Sequence, residues 1–317
     1  MEDVSDPPFR FVCKQNGADL MYSEFISSEG LIRDAIKSRQ KLDFAEFERP
    51  FGIQIFGGDE EAMALSARIV DTVQPDLVDI NFGCPVKKIV CKGAGAAVLK
   101  DVPLMVKLTR SVVESTSLPV TVKTRLGWDD SSKNIEEVAE RLQDVGIKAL
   151  TIHGRTRAQL YKGEADWTLI ARVKNNPRIR IPIFGNGDID SPQKALEYKN
   201  RYGVDGIMIG RAAIGYPWIF REIKHYLQTG ALLPPPTIEE RVETCRTHLK
   251  KSIAWKGAVT GILEMRMHYG NYLRGLPNIR EYRSKIVLAK TETEIHLLLD
   301  EIRDKYQQVP AHGTEVN

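Results

Sequence analysis

Seven short runs rich in Val, Ile and Phe recur through the first two-thirds of the chain, each followed by a longer amphipathic stretch. The runs are Leu20–Phe25, Gly52–Phe56, Val78–Phe82, Val120–Leu126, Leu150–His153, Ile181–Phe184 and Gly206–Ile209. Bounded by Gly, Pro, Asn or Asp, they read as buried parallel strands. Between them, Asp59–Val73, Pro103–Ser115, Asn134–Val145 and Pro192–Arg201 carry helical patterns, and Pro103 and Pro192 fall where a first helical turn accepts proline. Strand then helix, repeated, restricts the chain to an α/β fold with a parallel sheet. No G-x-G-x-x-G follows an early strand, which disfavours a dinucleotide-binding open sheet. Polar and glycine residues instead close almost every run: Ser23-Glu24, Gln54, Asn81, Lys123-Thr124-Arg125, His153-Gly154-Arg155, Asn186-Gly187-Asp188 and Gly210-Arg211. Functional groups at many strand carboxyl ends are what a (β/α)8 TIM barrel uses. An eighth strand is expected before Met1-Glu-Asp-Val-Ser-Asp-Pro-Pro-Phe-Arg, which reads as loop then helix, so the first barrel strand is expected to be missing.

The Leu232–Pro236 run, Leu-Leu-Pro-Pro-Pro, reads as a linker. Beyond it Ile238, Val242, Cys245, Leu249 and Ile253 recur at helical spacing. The expected organisation is therefore a barrel domain over 1–232, a small all-α domain over 237–308, and a disordered tail over 309–317. Net charge is only +3, but residues 237–290 hold 11 basic and 5 acidic side chains, whereas 1–236 hold 32 and 31. A basic block is thus hidden in a nearly neutral chain, which bears on partners rather than on fold. No apolar run approaches the roughly 20 residues of a membrane span, and residues 1–10 lack a signal-peptide layout. A cytoplasmic protein is expected, with oligomeric state open and a monomer as the working expectation. The four cysteines are scattered without a C-x-x-C pair, so neither a disulfide framework nor a metal site is expected.

Cys84, in Asn81-Phe-Gly-Cys-Pro-Val-Lys-Lys, sits between Gly83 and Pro85 at a strand end. Such a thiol, protonated at neutral pH, can donate a proton; the alternative is a structural cysteine, the reading given to Cys13, Cys91 and Cys245. Lys123 and Arg125 share one face of their strand and need anionic partners if buried. A reduced flavin is one such partner; an ion pair with Glu24 or Asp79 is the other. Phe184-Gly-Asn-Gly-Asp and Met208-Ile-Gly-Arg end the last two strands, where glycine backbone and Arg211 suit a phosphate. In the helical region Arg266, His268, Tyr269, Tyr272 and Arg274 interleave cations and aromatics, joined by Arg241, Arg246, Lys250, Lys251 and Lys256. That pattern suits RNA, although a solvated charged face is the alternative.

Taken in order, Asp79-Ile-Asn-Phe-Gly-Cys-Pro-Val-Lys-Lys, Val122-Lys-Thr-Arg-Leu-Gly-Trp, Thr151-Ile-His-Gly-Arg-Thr-Arg, Gly185-Asn-Gly-Asp-Ile and Met208-Ile-Gly-Arg-Ala resemble the successive motifs of the tRNA-dihydrouridine synthases. Ser5-Asp-Pro-Pro-Phe-Arg resembles that family's opening loop, and the bacterial B-type branch is the most similar. The resemblance implies an FMN-binding barrel, a helical tRNA-binding domain and NADPH as reductant. It further implies Cys84 as general acid, with Asn81, Arg125 and Arg155 on the substrate side. Gln54 and Lys123 are implied to hold the isoalloxazine ring, and His153, Asn186, Gly187, Asp188, Gly210 and Arg211 to surround the flavin and its phosphate. Arg266, Tyr269 and Arg274 are the expected tRNA contacts. The implied reaction moves hydride from reduced FMN to C6 of a tRNA uridine and a proton from Cys84 to C5. Two rival readings stand beside it: a flavin oxidoreductase of a free pyrimidine-like molecule, and a non-catalytic RNA-binding protein.

Overall fold

The structure, a computed structural model, describes residues 1–307; the tail expected over 309–317 lies outside the described residues. Eight strands form one parallel sheet among the described residues: β1 (Met21–Tyr22), β2 (Ile26–Ser27), β3 (Phe51–Phe56), β4 (Leu77–Asn81), β5 (Val120–Arg125), β6 (Ala149–His153), β7 (Ile183–Asn186) and β8 (Gly206–Met208). The order is β1-β3-β4-β5-β6-β7-β8, with β2 also pairing β3. All seven expected strand positions are therefore occupied, in a TIM-like half-barrel sheet flanked by helices. Among the described residues no strand precedes Met21, and β1 and β8 do not pair.

Of the first expected strand, Leu20–Phe25, only Met21–Tyr22 is paired, and pairing with β3 resumes just beyond it at Ile26–Ser27. The cause is Ser23: its N–H still joins the ladder at Gly52 O (2.9 Å), but its hydroxyl accepts from Gln54 N (3.0 Å) in place of a backbone carbonyl. Helix starts follow the sequence closely. Asp59 caps Glu60–Thr72, Asp101 caps Val102–Val113 and Ser191 caps Pro192–Tyr202, each side chain accepting an orphan N–H of the first turn. Alternation along the strands divides the sheet's two faces. Ile53, Ile55, Val78, Ile80, Val122, Leu150, Ile152 and Ile183 are fully buried apolar residues, while the residues between them are mostly polar.

One close approach depends on a glycine. A Cβ on Gly185 would lie 1.9 Å from the Trp167 ring, so the indole rests directly on the β7 backbone. Trp167 is 1% exposed and its Nε1 donates to Gly187 O at 3.0 Å. Trp167→Phe is expected to cost about 1–2 kcal/mol, because a buried carbonyl loses its donor; an unchanged urea midpoint would contradict this.

The chain forms two compact units, but not at the boundary expected from the Pro-rich run. The first comprises Met1–Glu2 with Leu20–Gly210; the second comprises Asp3–Asp19 with Arg211 onward. Two packing facts explain the difference. Helix Pro7–Gln15 packs on helix Ile238–Lys256: Phe9 lies 6.2 Å from the His248 ring and 5.6 Å from His268, and Lys256 Nζ pairs at 2.5 Å with Asp6, that helix's N-cap. Trp218, ahead of the Pro-rich run, belongs to the second unit's core with Val242, Leu249, Met265, Leu299 and Ile302, and its Nε1 donates to Glu240 (3.0 Å). The second unit is helical throughout: Pro7–Gln15, Ile219–Thr229, Ile238–Lys256, Ala258–Tyr272, Arg280–Leu288 and Glu292–Tyr306. Among the described residues no helix is long and apolar enough to cross a membrane.

Candidate active site

The register stacks the polar strand positions in rows. Gln54, Asp79 and Thr121 are lateral neighbours; Asn81, Lys123 and Thr151 form the next row; Arg125, His153 and Asn186 form the row nearest the strand carboxyl ends. Parallel partners in register point to the same face, so these side chains meet inside the sheet's curve.

The first two rows form a continuous hydrogen-bond relay. Thr121 Oγ1 donates to Asp79 Oδ1 (2.5 Å), and Gln54 Nε2 donates to Asp79 Oδ2 (2.6 Å). Asn81 Nδ2 then donates to Gln54 Oε1 (2.8 Å), leaving Asn81 Oδ1 to accept from the backbone N–H of Gly83 (2.9 Å) and Cys84 (3.0 Å). Both amides expected to touch ligand, Gln54 and Asn81, are thus engaged inside the protein, and their evident work is to pin the loop that carries Cys84. Burial raises the Asp79 carboxyl to about 6, against the pull of Thr121, Gln54 and Lys123. Thr121 was not singled out from sequence; its strand position, opposite an acidic residue on the inward face, is the feature that marks it.

Cys84 is buried at 7% exposure, and burial pushes its thiol up despite the Val86 backbone and the Arg125 and Lys123 charges. The thiol is therefore held protonated at neutral pH. Its loop is clamped a second time by Arg125, whose Nε donates to Gly83 O (2.7 Å) and whose Nη1 donates to Thr156 O (3.1 Å) and Leu160 O (3.0 Å). Lys123, one row below, makes no ion pair or side-chain hydrogen bond among the described residues. The ion pair with Asp79 is not formed, since that carboxylate is held by Gln54 and Thr121 instead. Burial, reinforced by Arg125, lowers the Lys123 ammonium to about 8, while Asp79 and Cys84 oppose the shift. The amino terminus of Met1 lies in the same field: burial lowers it to about 6, with Glu24 raising it and Lys123 lowering it.

Just beyond the third row, past the ends of β6 and β7, Arg155 is 3% exposed and grips Asp188 with two parallel bonds, Nη1–Oδ1 at 2.8 Å and Nη2–Oδ2 at 2.6 Å. Asp188 also accepts from Ala165 N (2.8 Å) and has a left-handed backbone, φ +59°. This bidentate pair places Arg155 and Asp188 as mutual partners under the loop after β7. Arg155 Nη1 lies 3.4 Å from His153 Nε2; a guanidinium only donates, so Nε2 is the acceptor and the ring proton sits on Nδ1. Asn186 Nδ2 donates to Met208 O (2.8 Å), tying the ends of β7 and β8. Gly187 has φ +122°, and a Cβ there would meet Ala165 at 2.7 Å. A Cβ on Gly210 would meet only Met1 Sδ, at 3.7 Å, so that backbone is open to close approach. Arg211, exposed, is the first residue of the second unit.

The helical unit corrects one expected RNA contact. Tyr269 is 0% exposed and lies in the core with Ile262, Met265 and Tyr272; a ring with no accessible face cannot stack on a base. The spacing 262, 265, 269, 272 is a helical core stripe, which takes precedence over the interleaving pattern. His268 and Tyr272 are buried with it. Several cations of the basic block are also used internally: Arg246 pairs with Asp300 (2.5 Å) and Glu243 (3.2 Å), Lys256 with Asp6 and Glu264, and Arg241 donates to the carbonyls of Pro236 and Arg274. Lys251 rests over Phe11 at 3.7 Å. Lys250, Arg266 and Arg274 have no ion-pair partner among the described residues, and Arg274 is exposed.

The family model described as dihydrouridine synthase (Dus) matches residues 1–308. Relatives named tRNA-dihydrouridine synthase B are similar along most of the chain: that of Pseudomonas syringae pv. tomato is 44% identical over 90% of this chain and 84% of its own length. That of Shewanella oneidensis is 39% identical over 97% and 95%. In solved structures, histamine dehydrogenase from Rhizobium sp. 4-9 is similar in fold alone, with TM-score 0.55 and 10% identity over 78% of this chain; the chain spans 46% of that protein.

Proposed function

The chain belongs to the dihydrouridine synthase family, and from that membership we propose that it reduces specific tRNA uridines to 5,6-dihydrouridine, with FMN as cofactor and NADPH as reductant. The observation that carries the reading is the Cys84 loop: a thiol kept protonated, pinned by Asn81 and Arg125, beside the unpaired cation of Lys123. The residues present fit FMN. Lys123 has no anionic side-chain partner, which an anionic ring edge supplies, and the open backbone at Gly210 admits a phosphate, with Gly187, Asn186 and Arg211 as its further surroundings. Reduced FMN, when bound, supplies the hydride to C6 of uracil.

The chain's own residues do the rest. Cys84 Sγ delivers its proton to C5, and its raised thiol pKa keeps that proton available across neutral pH. Lys123 offsets negative charge in a dry site where a screened surface lysine would count for little. His153 and the Arg155–Asp188 pair hold the β6 and β7 ends in place, while Gln54 and Asn81 act by orienting the Cys84 loop. A target uridine reaches this recess only after leaving its stack, and cations of the helical unit such as Lys250, Arg266 and Arg274 are available to contact the tRNA backbone. A tRNA substrate supports a cytoplasmic location. The test is direct: purified protein, NADPH and unmodified tRNA should yield nucleosides that have gained two hydrogens at uridine. Reduction of free uracil, with no change in tRNA, would overturn the reading.

A further inference from the structure

Helices Arg280–Leu288 and Glu292–Tyr306 of the second unit border a surface groove of about 480 Å³, lined by apolar Leu288, Leu297 and Leu298 and by charged Lys285, Glu294 and Glu301. Helix Ala258–Tyr272 of the same unit carries an exposed apolar ridge, Val259, Leu263 and Met267. We infer that the two are halves of one contact: the ridge of one copy of the chain lies in the groove of a second copy, so the protein self-associates through its helical unit. The inference is independent of the proposed reaction.

Three observations carry it. The first is exposure. Val259 is 75% exposed, Leu263 47% and Met267 42% on the ridge, and Leu288 is 72% and Leu297 60% exposed at the groove. Aliphatic side chains gathered in this way mark a contact with something apolar. Within one chain the ridge and the groove leave each other open to water, so neither covers the other. The second is shape. Positions 259, 263 and 267 recur every four residues and stand in one row, while the core stripe 262, 265, 269, 272 takes the other side of the helix. A helix presenting such a row is the ligand of a helix-in-groove contact, and an apolar cleft is its receptor. The third is charge. Lys285 is already paired with Glu281 (2.6 Å), and Glu301 has no ion pair among the described residues, which leaves the groove acidic. Helix Glu292–Tyr306 holds five acids against two bases. The ridge is flanked by the opposite sign. Arg266, one turn from Leu263, and Arg274 have no ion-pair partner among the described residues, and the ridge helix's one acid, Glu264, is taken by Lys256. Nucleic acid suits neither half: carboxylates repel its phosphates, and Val, Leu and Met offer no ring for a base to stack on.

The experiment is sedimentation velocity of the full-length holoprotein without tRNA, over about 1 to 100 μM, the range suited to an interface with so few anchors. Wild type should pass from one chain toward two across that range. Leu263→Glu spoils the ridge and Leu297→Glu the groove; both positions are exposed, and melting curves confirm that each variant folds, with Val259→Glu replacing the first if it melts early. Each variant alone should associate at least roughly tenfold more weakly than wild type. Their equimolar mixture should regain association, because the intact groove of the first accepts the intact ridge of the second. Wild type that stays a single chain throughout, variants that associate like wild type, or a mixture no better than its components would each overturn the inference. Wild type that stays single yet binds a basic Leu/Lys amphipathic peptide would give the groove to a different protein and would also overturn self-association. Absence of dihydrouridine formation bears on the functional reading alone, since every mass here is read without turnover.

Discussion

Replacing Cys84 with alanine is expected to lower dihydrouridine formation by at least about 100-fold, the range in which general-acid groups contribute, while flavin absorbance and tRNA affinity stay near wild type. The geometry separates these outcomes. The Cys84 sulfur meets the Val86 backbone, but the loop is set chiefly by bonds that do not use the thiol, Cys84 N to Asn81 Oδ1 and Ala96 N to Cys84 O. Truncating the thiol therefore removes a proton donor and one weak contact to the Val86 backbone. Cys84→Ser should recover only a small part of the rate, because a hydroxyl is a far weaker acid. The pH dependence has a definite sign. A general acid works in its protonated form, and burial raises the Cys84 thiol, so turnover should be flat through neutral pH and fall only on the alkaline side. Lys123 loses its charge near pH 8 in the free protein, so kcat/KM should begin to fall there, before kcat does. Full activity of Cys84→Ala on tRNA would remove the residue from the mechanism, whatever its loop suggests.

The sheet was legible because buried parallel strands write themselves as apolar runs ended by Gly, Pro or Asn, and helix starts because Asp59, Asp101 and Ser191 are capping residues. Where the reading slipped, a hydrogen bond or a packing partner distant in sequence decided the matter. Ser23 interrupts the first strand through a bond to Gln54, which no local pattern displays. Helix Pro7–Gln15 joins the second unit through Phe9, Asp6 and partners some 240 residues away. Tyr269 sits in a stretch whose charge and aromatic content suit RNA, but the 262-265-269-272 stripe assigns it to the core. Motifs named the site residues, but not whether each faces a ligand or another residue. For Gln54, Asn81, Arg125 and Arg155 the visible partners lie within the protein.

That distinction makes Asn81 the more demanding test. Asn81→Ala should lower turnover by about 100-fold and stability by about 2–4 kcal/mol, because it strips the acceptor from two buried backbone N–H groups and the donor from Gln54 Oε1. The relay has a fixed polarity: Asp79 receives from Gln54, so Gln54 presents its oxygen to Asn81, and Asn81 presents its own oxygen to the loop. Asp79→Asn is the informative partner variant. Its amide oxygen can face Gln54 while its NH2 faces Thr121, whose hydroxyl turns to accept, so the relay survives and turnover should stay within a few-fold of wild type. What it should lose is a pH effect. Burial holds the Asp79 carboxyl at about 6 in the fold, above its unfolded value near 3.9. That group therefore favours folding below pH 4, and the benefit drains away as pH rises through 6, by up to about 3 kcal/mol. Urea unfolding at pH 4.5 and pH 7, which span about 2 kcal/mol of that loss, should show the wild type losing stability relative to Asp79→Asn on the way up. If Asn81→Ala keeps full turnover, or if Asp79→Asn proves as damaging as Asn81→Ala, the loop is held by something other than this relay.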